Sequence, residues 1–325
     1  MISGISTQNI LRNFASYLII TIMNTDFEPT FNKDLLPAGM ASGAGCEVFI
    51  SEKPRQTLEE IERSIITKYR KKIWSKFTAA IVEYELIQPG DKVAVAISGG
   101  KDSLIMAKLF QELKKHGRDN FDLEFISMDP GFNRENKDLL KEHCDYLGIP
   151  VKIYDRNIFE VLDRSAKNSP CFLCAKMRRG VLYSISQDLG CNKLALGHHF
   201  NDVIETVLLN VLCSGRFQTM MPKLKSKNFH GLELIRPLYS IKEEDILAFT
   251  DSSGLSPMNC GCTVAAKKTS SKRHEIKELI KNLGTSFQDV EKSIFNSTKN
   301  IFLDAVIGWR EGDKQSSFLD KYDVD

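Results

Sequence analysis

Six consecutive residues combine glycines, hydroxyls and opposite charges in a pattern suited to phosphate binding. They are Ser98-Gly99-Gly100-Lys101-Asp102-Ser103. The two glycines allow a tight turn and let the backbone approach an anion without a Cβ atom in the way. The serine hydroxyls and the lysine add donors and a positive charge, and the aspartate suits a magnesium ligand or a brace for the loop. The spacing is neither that of the P-loop of ordinary ATPases nor that of the GxGxxG dinucleotide fingerprint.

Four of the eight cysteines lie in two close pairs. Cys171 and Cys174 form a CxxC motif at the start of a predicted helix, a spacing that lets both sulfurs face one point, as in metal ligation or redox chemistry. Cys260 and Cys262 form the second pair. Four thiolates also suit a structural zinc site, which stays open as an alternative. A thioredoxin-like redox pair is less consistent with the flanking sequence of the CxxC motif.

Polar residues also follow a later predicted strand, at Gly197, His198 and Asp202. The glycine permits close approach to a nucleotide, the histidine is a candidate nucleotide contact, and the carboxylate is a candidate acid, base or metal partner. The same carboxylate can also cap the following helix. Arg178 lies four residues after Cys174 on the same helical face, so it is a candidate to stabilise negative charge near the cysteines.

Basic residues gather around this predicted site, although the formal net charge of the chain is only +2. Such runs are usually solvated surface, but beside a phosphate site they suit an RNA backbone. The target base would then be unpaired or flipped out of its stack. The predicted RNA-binding residues are Lys176, Arg179, Lys223, Lys225, Lys267, Lys268 and Arg273.

Alternating strands and helices must position these residues. A short apolar strand at 93–97 precedes the phosphate site, as expected for a parallel sheet covered on both faces. The alternation continues to about residue 212 and predicts an α/β fold with a doubly wound, Rossmann-like parallel sheet, flanked by N- and C-terminal helices. Ligands of such sheets bind outside the carboxyl ends of the strands, where 98–103 and 197–202 are expected to lie.

Composition shifts divide the chain into five predicted parts. They are a loosely ordered extension at 1–53, an N-terminal helix at 54–88, a nucleotide-binding domain at 89–240, a helical part at 241–308 and a polar tail at 309–325. Met40 is an alternative start of the chain, so whether residues 1–39 belong to the native protein stays open. The apolar run at 15–23 has no export-signal flanks and is shorter than the ~20 residues that cross a bilayer, so we expect a cytoplasmic protein without membrane contact.

The order of these motifs resembles that of the tRNA 2-thiocytidine synthases, a branch of the PP-loop ATP pyrophosphatases. The phosphate site matches the PP-loop, and it is followed by Pro-Cys-Phe-Leu-Cys-Ala-Lys-Met-Arg-Arg-Gly from residue 170, Leu-Gly-His-His-Phe-Asn-Asp-Val-Ile-Glu-Thr from 196 and Ile-Arg-Pro-Leu from 235. The likeness runs from about Gln56 to Leu283. It implies an adenine nucleotide α-hydrolase (HUP-type) fold that binds ATP and Mg²⁺, with the backbone near Met128 against adenine.

By the same resemblance, Cys171, Cys174 and Cys262 hold a 4Fe-4S cluster with one iron free to bind sulfur. The family's third ligand usually lies in a second CxxC, whereas this chain has Cys-Gly-Cys at 260–262. Arg273 matches an arginine of the family, and the spacing counted back from it favours Cys262 as the third ligand, with Cys260 as the alternative.

The resemblance implies that ATP activates the C2 oxygen of an anticodon-loop cytidine and that sulfur replaces this oxygen, with Lys101, Arg178 and Asp202 as catalytic residues. The partners implied are tRNA and a sulfur donor such as a cysteine desulfurase, and a homodimer is compatible. Because the second cysteine motif departs from CxxC, a tRNA uridine remains an alternative substrate. An amidating PP-loop ligase and a zinc-containing RNA-binding module are the further alternatives.

Overall fold

The computed structural model describes residues 51–117, 120–132, 134–156, 158, 170–258 and 272–322, with the backbone alone at 170–175 and 321. Strands and helices alternate through most of this part of the chain. Among these residues, no helix has the length and apolar character needed to cross a membrane.

The N-terminal helical region consists of two helices joined by a π-helical turn. Helix α1 is Leu58–Ile66, the π-helix is Arg70–Trp74 and helix α2 is Ser75–Glu83. The sequence predicted one helix over 54–88. In the structure, the buried side chains of this region recur every four residues. Four residues of an α-helix rotate by about 400°, so each buried side chain would lie about 40° further around the helix than the one before it. A π-helical turn holds more residues per turn and so keeps the apolar stripe on the core. The stripe comprises Ile61, Ile65, Tyr69, Ile73, Phe77 and Ile81.

The central sheet has six strands in the order β3-β2-β1-β4-β6-β5. All neighbouring pairs are parallel except β5 with β6. The predicted doubly wound parallel sheet is thus confirmed, with a short antiparallel edge strand added. The strands are β1 Lys92–Ala96, β2 Asp122–Asp129, β3 Val151–Asp155, β4 Lys193–Ala195, β5 Lys223–Lys225 and β6 Glu233–Ile235.

Strand order reverses beside β1, which creates the crevice where ligands bind in sheets of this kind. The chain moves outward from β1 through β2 to β3, and then returns to the other side of β1 with β4. The connections leaving β1 and β4 therefore diverge at their carboxyl ends. Residues 97–100 follow β1 and residues 196–199 follow β4, so the sheet brings both polar sequence motifs to this crevice.

Alternate residues of the strands face two layers of helices, as the two-residue period of a strand requires. Val93 and Val95 of β1 belong to the larger core, together with α1, α2, α3 (Lys101–His116), α4 (Arg134–Tyr146) and α7 (Glu243–Ser252). Ala94 belongs to a second core, packed against Met177 and Val181 of α5 (Pro170–Asp188).

The C-terminal helices pack on α6, which follows β4 and spans Phe200–Ser214. Helices α8 (Lys272–Ser286) and α9 (Val290–Ser297) contribute Ile276, Ile280 and Phe295 to a third core with Phe200. The predicted polar tail contains a hairpin, β7 Gly308–Glu311 with β8 Lys314–Ser317, and the short helix α10 Leu319–Tyr322.

Replacing Phe77 by alanine is expected to lower the free energy of unfolding by about 3–5 kcal/mol, because it leaves a cavity in the larger core. The Phe77 ring is fully buried and meets Phe110 edge-on, with ring centroids 5.5 Å apart. Chemical denaturation measures the loss. Val82→Ala, at a side chain that is 77% exposed, is the control. Equal stabilities of the two variants would contradict the packing described.

Candidate active site

The hydroxyls of the phosphate loop hold its backbone in place. The Ser98 N–H donates to Ser103 Oγ at 3.1 Å, and this hydroxyl donates to the Gly100 carbonyl at 2.8 Å. Gly100 is the N-terminal cap of α3, and no side chain caps the helix. The first N–H groups of α3 therefore remain available to an anion, with the positive end of the helix dipole behind them.

Glycine is required in this loop because a side chain has no room. Gly99 adopts φ +82°, and a Cβ atom there would lie 2.5 Å from Met258 Sδ. The Gly99 carbonyl accepts a hydrogen bond from the Met258 N–H at 3.0 Å. A Cβ atom on Gly197 would lie 3.3 Å from the Asp102 carbonyl carbon, so the loops that follow β1 and β4 pack directly on each other.

Lys101 lies between two carboxylates rather than free in the crevice. Its Nζ atom is 3.0 Å from Asp102 Oδ2 and 3.1 Å from Glu243 Oε1. The other oxygen of Glu243 is 2.7 Å from Lys277 Nζ. Burial favours the neutral acid, but Lys101 and Lys277 together hold the pKa of Glu243 at about 2. Asp102 Oδ1 is buried without a hydrogen-bond partner among the described residues, which leaves it available to a cation.

Asp202 is an ionised carboxylate at neutral pH. Its Oδ2 accepts the His199 N–H at 2.9 Å, and its Oδ1 is 3.3 Å from the Arg273 guanidinium. Burial opposes ionisation, yet His199 and Arg273 hold the pKa of Asp202 well below its usual range. The predicted helix-capping contact therefore exists, and it leaves the carboxylate unsuited to donating a proton. Arg273 Nε also donates to Glu205 Oε2 at 2.9 Å.

His198 and Met128, both predicted to be near ATP, lie at the same edge. His198 is half-buried, and its Nδ1 has no hydrogen-bond partner in the described chain. Burial lowers the pKa of His198 to about 4, although Asp202 opposes the shift. Met128 is the penultimate residue of β2 and its side chain is buried against α5. Its backbone therefore lies at the carboxyl end of a strand that adjoins β1.

The cysteine-bearing helix α5 begins at this edge, and Met258 lies there too. Helix α5 joins the carboxyl end of β3 to the amino end of β4, so its N-terminus lies at the carboxyl edge of the sheet. Cys171 and Cys174 occupy its first turns, three residues apart and so on one side of the helix. Cys260 and Cys262 lie outside the described residues. Met258, two residues before the first of them, is bonded to the phosphate loop.

The predicted RNA-binding residues do not all line this edge. Lys176 and Arg179 are exposed on α5, just beyond its cysteines, and Arg178 is half-buried there. Lys267 and Lys268 lie outside the described residues.

Two predicted RNA-binding lysines, Lys223 and Lys225, lie on the antiparallel edge strand β5. Lys225 pairs with Glu233, the residue that begins β6, because β5 runs antiparallel to its neighbour. Lys223 Nζ donates to the Glu85 carbonyl at 2.9 Å and lies 3.6 Å from the Glu233 carboxylate. The Lys225 backbone therefore lies at the amino end of β6, whereas the Lys223 backbone pairs with Ile235 at the carboxyl end and only its ammonium group reaches back to Glu233.

Several residues of the site were not found from the sequence. Glu205, Glu243 and Lys277 become recognisable only through contacts between distant helices. Arg236 had a local signal, because a charged residue follows an apolar strand there. Its guanidinium is buried and donates to the Met221 carbonyl, its Nε has no partner within the described ranges, and burial lowers its pKa to about 10.

Comparisons with known proteins agree with this geometry. The family model of the PP-loop domain matches residues 69–258. A tRNA-cytidine(32) 2-sulfurtransferase of Syntrophotalea carbinolica is 34% identical over 224 residues, which cover 68% of this chain and 86% of the relative. One from Geotalea uraniireducens is also 34% identical, and the match covers 74% of this chain and 94% of the relative.

A solved structure shares the fold. It is the U34-tRNA thiolase NcsA from Methanococcus maripaludis with its [4Fe-4S] cluster, and it superposes with a TM-score of 0.58 at 24% sequence identity. The match covers 78% of this chain and 87% of the thiolase. The fold and the phosphate loop thus define a PP-loop protein. Within that class, the chain belongs to the tRNA-cytidine(32) 2-sulfurtransferase family of enzymes.

Gly99→Ala is expected to weaken ATP binding by roughly tenfold or more, since the added methyl group must displace Met258 and the loop with it. Calorimetric titration with a non-hydrolysable ATP analogue measures the change. Gly90→Ala is the matched control, because Gly90 has φ +86° with nothing within 4 Å of its Cβ position. Equal ATP affinities in the two variants would show that the close packing at Gly99 is unimportant.

The low pKa of His198 predicts acid sensitivity. The unfolded chain protonates this histidine below about pH 6.5, whereas the folded chain does so only below about pH 4. The free energy of unfolding should therefore fall as the pH drops from 6.5 to 4, by about 2 kcal/mol from this group. Denaturation across this range should show a smaller fall for His198→Gln than for the wild type. The exposed His230→Gln control should retain the full dependence, and an unchanged slope in His198→Gln would contradict the prediction.

Proposed function

We propose that this chain is an ATP-dependent tRNA sulfurtransferase that activates the C2 oxygen of an anticodon-loop cytidine and replaces it with sulfur, giving 2-thiocytidine. The observation that carries the proposal is the meeting, at one sheet edge, of the phosphate loop, the start of the cysteine-bearing helix α5 and Met258, which lies two residues before Cys260. The Met258 N–H to Gly99 carbonyl bond of 3.0 Å joins two of these segments. The relatives are named tRNA-cytidine(32) 2-sulfurtransferases, which supports the cytidine at position 32 as the target nucleotide.

The phosphate loop binds the triphosphate of ATP. Backbone N–H groups in the first turn of α3, which no side chain caps, are available to the anion. Lys101 leaves its carboxylate partners, 3.0 Å and 3.1 Å away, and neutralises the charge that develops on pyrophosphate. Asp102 Oδ1, which lacks a hydrogen-bond partner among the described residues, supplies a ligand for Mg²⁺.

The adenylation step exchanges one oxygen–phosphorus bond for another. The C2 oxygen of cytidine attacks the α-phosphorus, the bond from that phosphorus to the oxygen bridging the β-phosphate breaks, and pyrophosphate leaves. Asp202 cannot donate a proton here, because it is ionised and held by His199 and Arg273. It therefore acts as a fixed negative charge, because a carboxylate whose pKa is so far below neutral pH is also a poor proton acceptor. Holding both reactants in one crevice makes the step effectively unimolecular.

Sulfur then forms a bond to C2, and AMP leaves with the original oxygen. Cys171, Cys174 and Cys262, with Cys260 as the alternative third ligand, would hold a 4Fe-4S cluster, for which thiolates are the expected ligands. When bound, a cluster with three protein ligands supplies an iron site open to sulfur. Arg178 is half-buried one helical turn after Cys174 and stabilises negative charge in this step. The sulfur comes from a donor such as a cysteine desulfurase, and because such a donor delivers persulfide sulfur, two electrons from a cellular reductant bring it to the sulfide level before it attacks C2. A homodimer is compatible with the proposal.

Anaerobically purified protein should contain about four irons per chain and show visible absorption. Cys171→Ser, Cys174→Ser and Cys262→Ser should lose iron and the formation of 2-thiocytidine, as measured by metal analysis and by mass spectrometry of nucleosides from treated tRNA. Cys213→Ser is the matched control, because Cys213 is a free, exposed cysteine of α6. Iron loss in Cys260→Ser but not in Cys262→Ser would reassign the third ligand.

The alternatives give different results in the same experiment. Stoichiometric zinc without iron would overturn the cluster and favour a zinc-containing RNA-binding module. Formation of 2-thiouridine would move the substrate from cytidine to uridine. ATP-dependent amidation of tRNA without sulfur would indicate a PP-loop ligase.

A further inference from the structure

The N-terminal helical region carries a concentration of positive charge that the proposed chemistry does not use. Six basic residues and no acidic residue lie between Arg63 and Val82, whereas the whole chain has a net charge of +2. We call these six the N-terminal basic surface. They are Arg63, Lys68, Arg70, Lys71, Lys72 and Lys76.

The fold presents these charges outward together. Tyr69, Ile73 and Phe77 are buried and turn one side of the π-helix towards the core. Arg70 and Lys71, in the same π-helix, are therefore exposed. Arg63, Lys68 and Lys72 are exposed as well, so most of the basic side chains of this stretch face solvent.

Apart from Lys72 and Lys76, which contact Asp245, these cations differ from most others in the described chain, where lysines commonly pair with carboxylates. Within the described residues, Arg70 and Lys71 form no ion pair, and Lys68 instead lies over the Tyr69 ring at 5.1 Å. A solvated helix face normally interleaves acidic and basic residues, which support each other four positions apart. This stretch has no such interleaving, so its charges repel one another unless a polyanion binds them.

The basic surface adjoins the nucleotide crevice. Lys72 and Lys76 reach Asp245 at 3.2 Å and 3.3 Å. Asp245 lies two residues after Glu243, whose carboxylate is 3.1 Å from Lys101 in the phosphate loop. The first turn of α7 therefore separates the surface from the site of adenylation, and a long polyanion at the crevice can continue onto it.

We propose that the N-terminal basic surface binds the phosphate backbone of the substrate RNA, outside the nucleotide that enters the crevice. This inference rests on the proposed function and adds the surface on which the RNA lies. Backbone contacts of this kind position a nucleic acid without reading its sequence. A membrane surface fits less well, because interfacial helices expose large apolar side chains beside their basic residues. In this stretch the exposed large apolar residue is Val82, beyond the last lysine.

The test removes three unpaired charges with the variant Lys68→Gln/Arg70→Gln/Lys71→Gln. Binding of an unmodified tRNA transcript is measured by fluorescence anisotropy from about 50 to 200 mM salt. The triple variant should bind roughly 10- to 100-fold more weakly, and the slope of log affinity against log salt should fall by about 2–3. Its affinity for a non-hydrolysable ATP analogue should match that of the wild type, because none of the three residues contacts the phosphate loop.

The matched control is Lys141→Gln/Lys281→Gln/Lys314→Gln, which removes the same charge at exposed positions elsewhere. If both triple variants bind tRNA equally well while the wild type thiolates tRNA, the basic surface is overturned and the proposed function stands. If the wild type neither binds nor thiolates tRNA, both the RNA-binding role of the basic surface and the proposed function are contradicted. Wild-type binding to phosphatidylserine vesicles that is lost in the first variant, with tRNA affinity unchanged, would overturn the RNA assignment in favour of a membrane.

Discussion

The site depends on one close backbone contact, in which the Gly99 carbonyl accepts the Met258 N–H. The contact exists because Gly99 has φ +82° and no side chain, so the sulfur of Met258 can lie where a Cβ atom would be. Through it, the loop after β1 is fixed to the segment after α7, which is distant in sequence. A phosphate loop alone would define a nucleotide-binding protein. Because Met258 lies two residues before Cys260, its bond to this loop supports the proposal of a second chemistry at the same edge.

Paired charges provide the second constraint on the site. Burying a carboxylate is costly unless a cation accompanies it. Glu243 is accompanied by Lys101 and Lys277, and Asp202 by Arg273. Arg273 and Lys277 lie four residues apart on α8, so one helix face supplies both. Helix α8 is therefore held to the nucleotide crevice by charge in addition to the apolar core it shares with α6.

Local sequence signals predicted the elements and loops that local physics determines. The apolar strand before Ser98, the glycines of the phosphate loop and the CxxC at the start of α5 each carry their signal within a few residues. Strands β5 and β6 are three residues long, too short for a periodic pattern, and they were not predicted. Without the antiparallel register of β5, the sequence could not show that the Lys225 backbone lies at the amino end of β6. The pairing of Arg273 with Asp202 and Glu205 joins residues about seventy positions apart, beyond any local pattern.

The two carboxylates around Lys101 have a consequence for selectivity among oxyanions. Inorganic phosphate or sulfate must compete alone with Asp102 and Glu243 for the ammonium group, whose contacts to them are 3.0 Å and 3.1 Å. A nucleoside triphosphate gains further bonds from the N–H groups of α3 and can bring its own cation, so it alone compensates for breaking these pairs. We therefore expect inorganic phosphate and sulfate to bind this loop more weakly than a nucleoside triphosphate does.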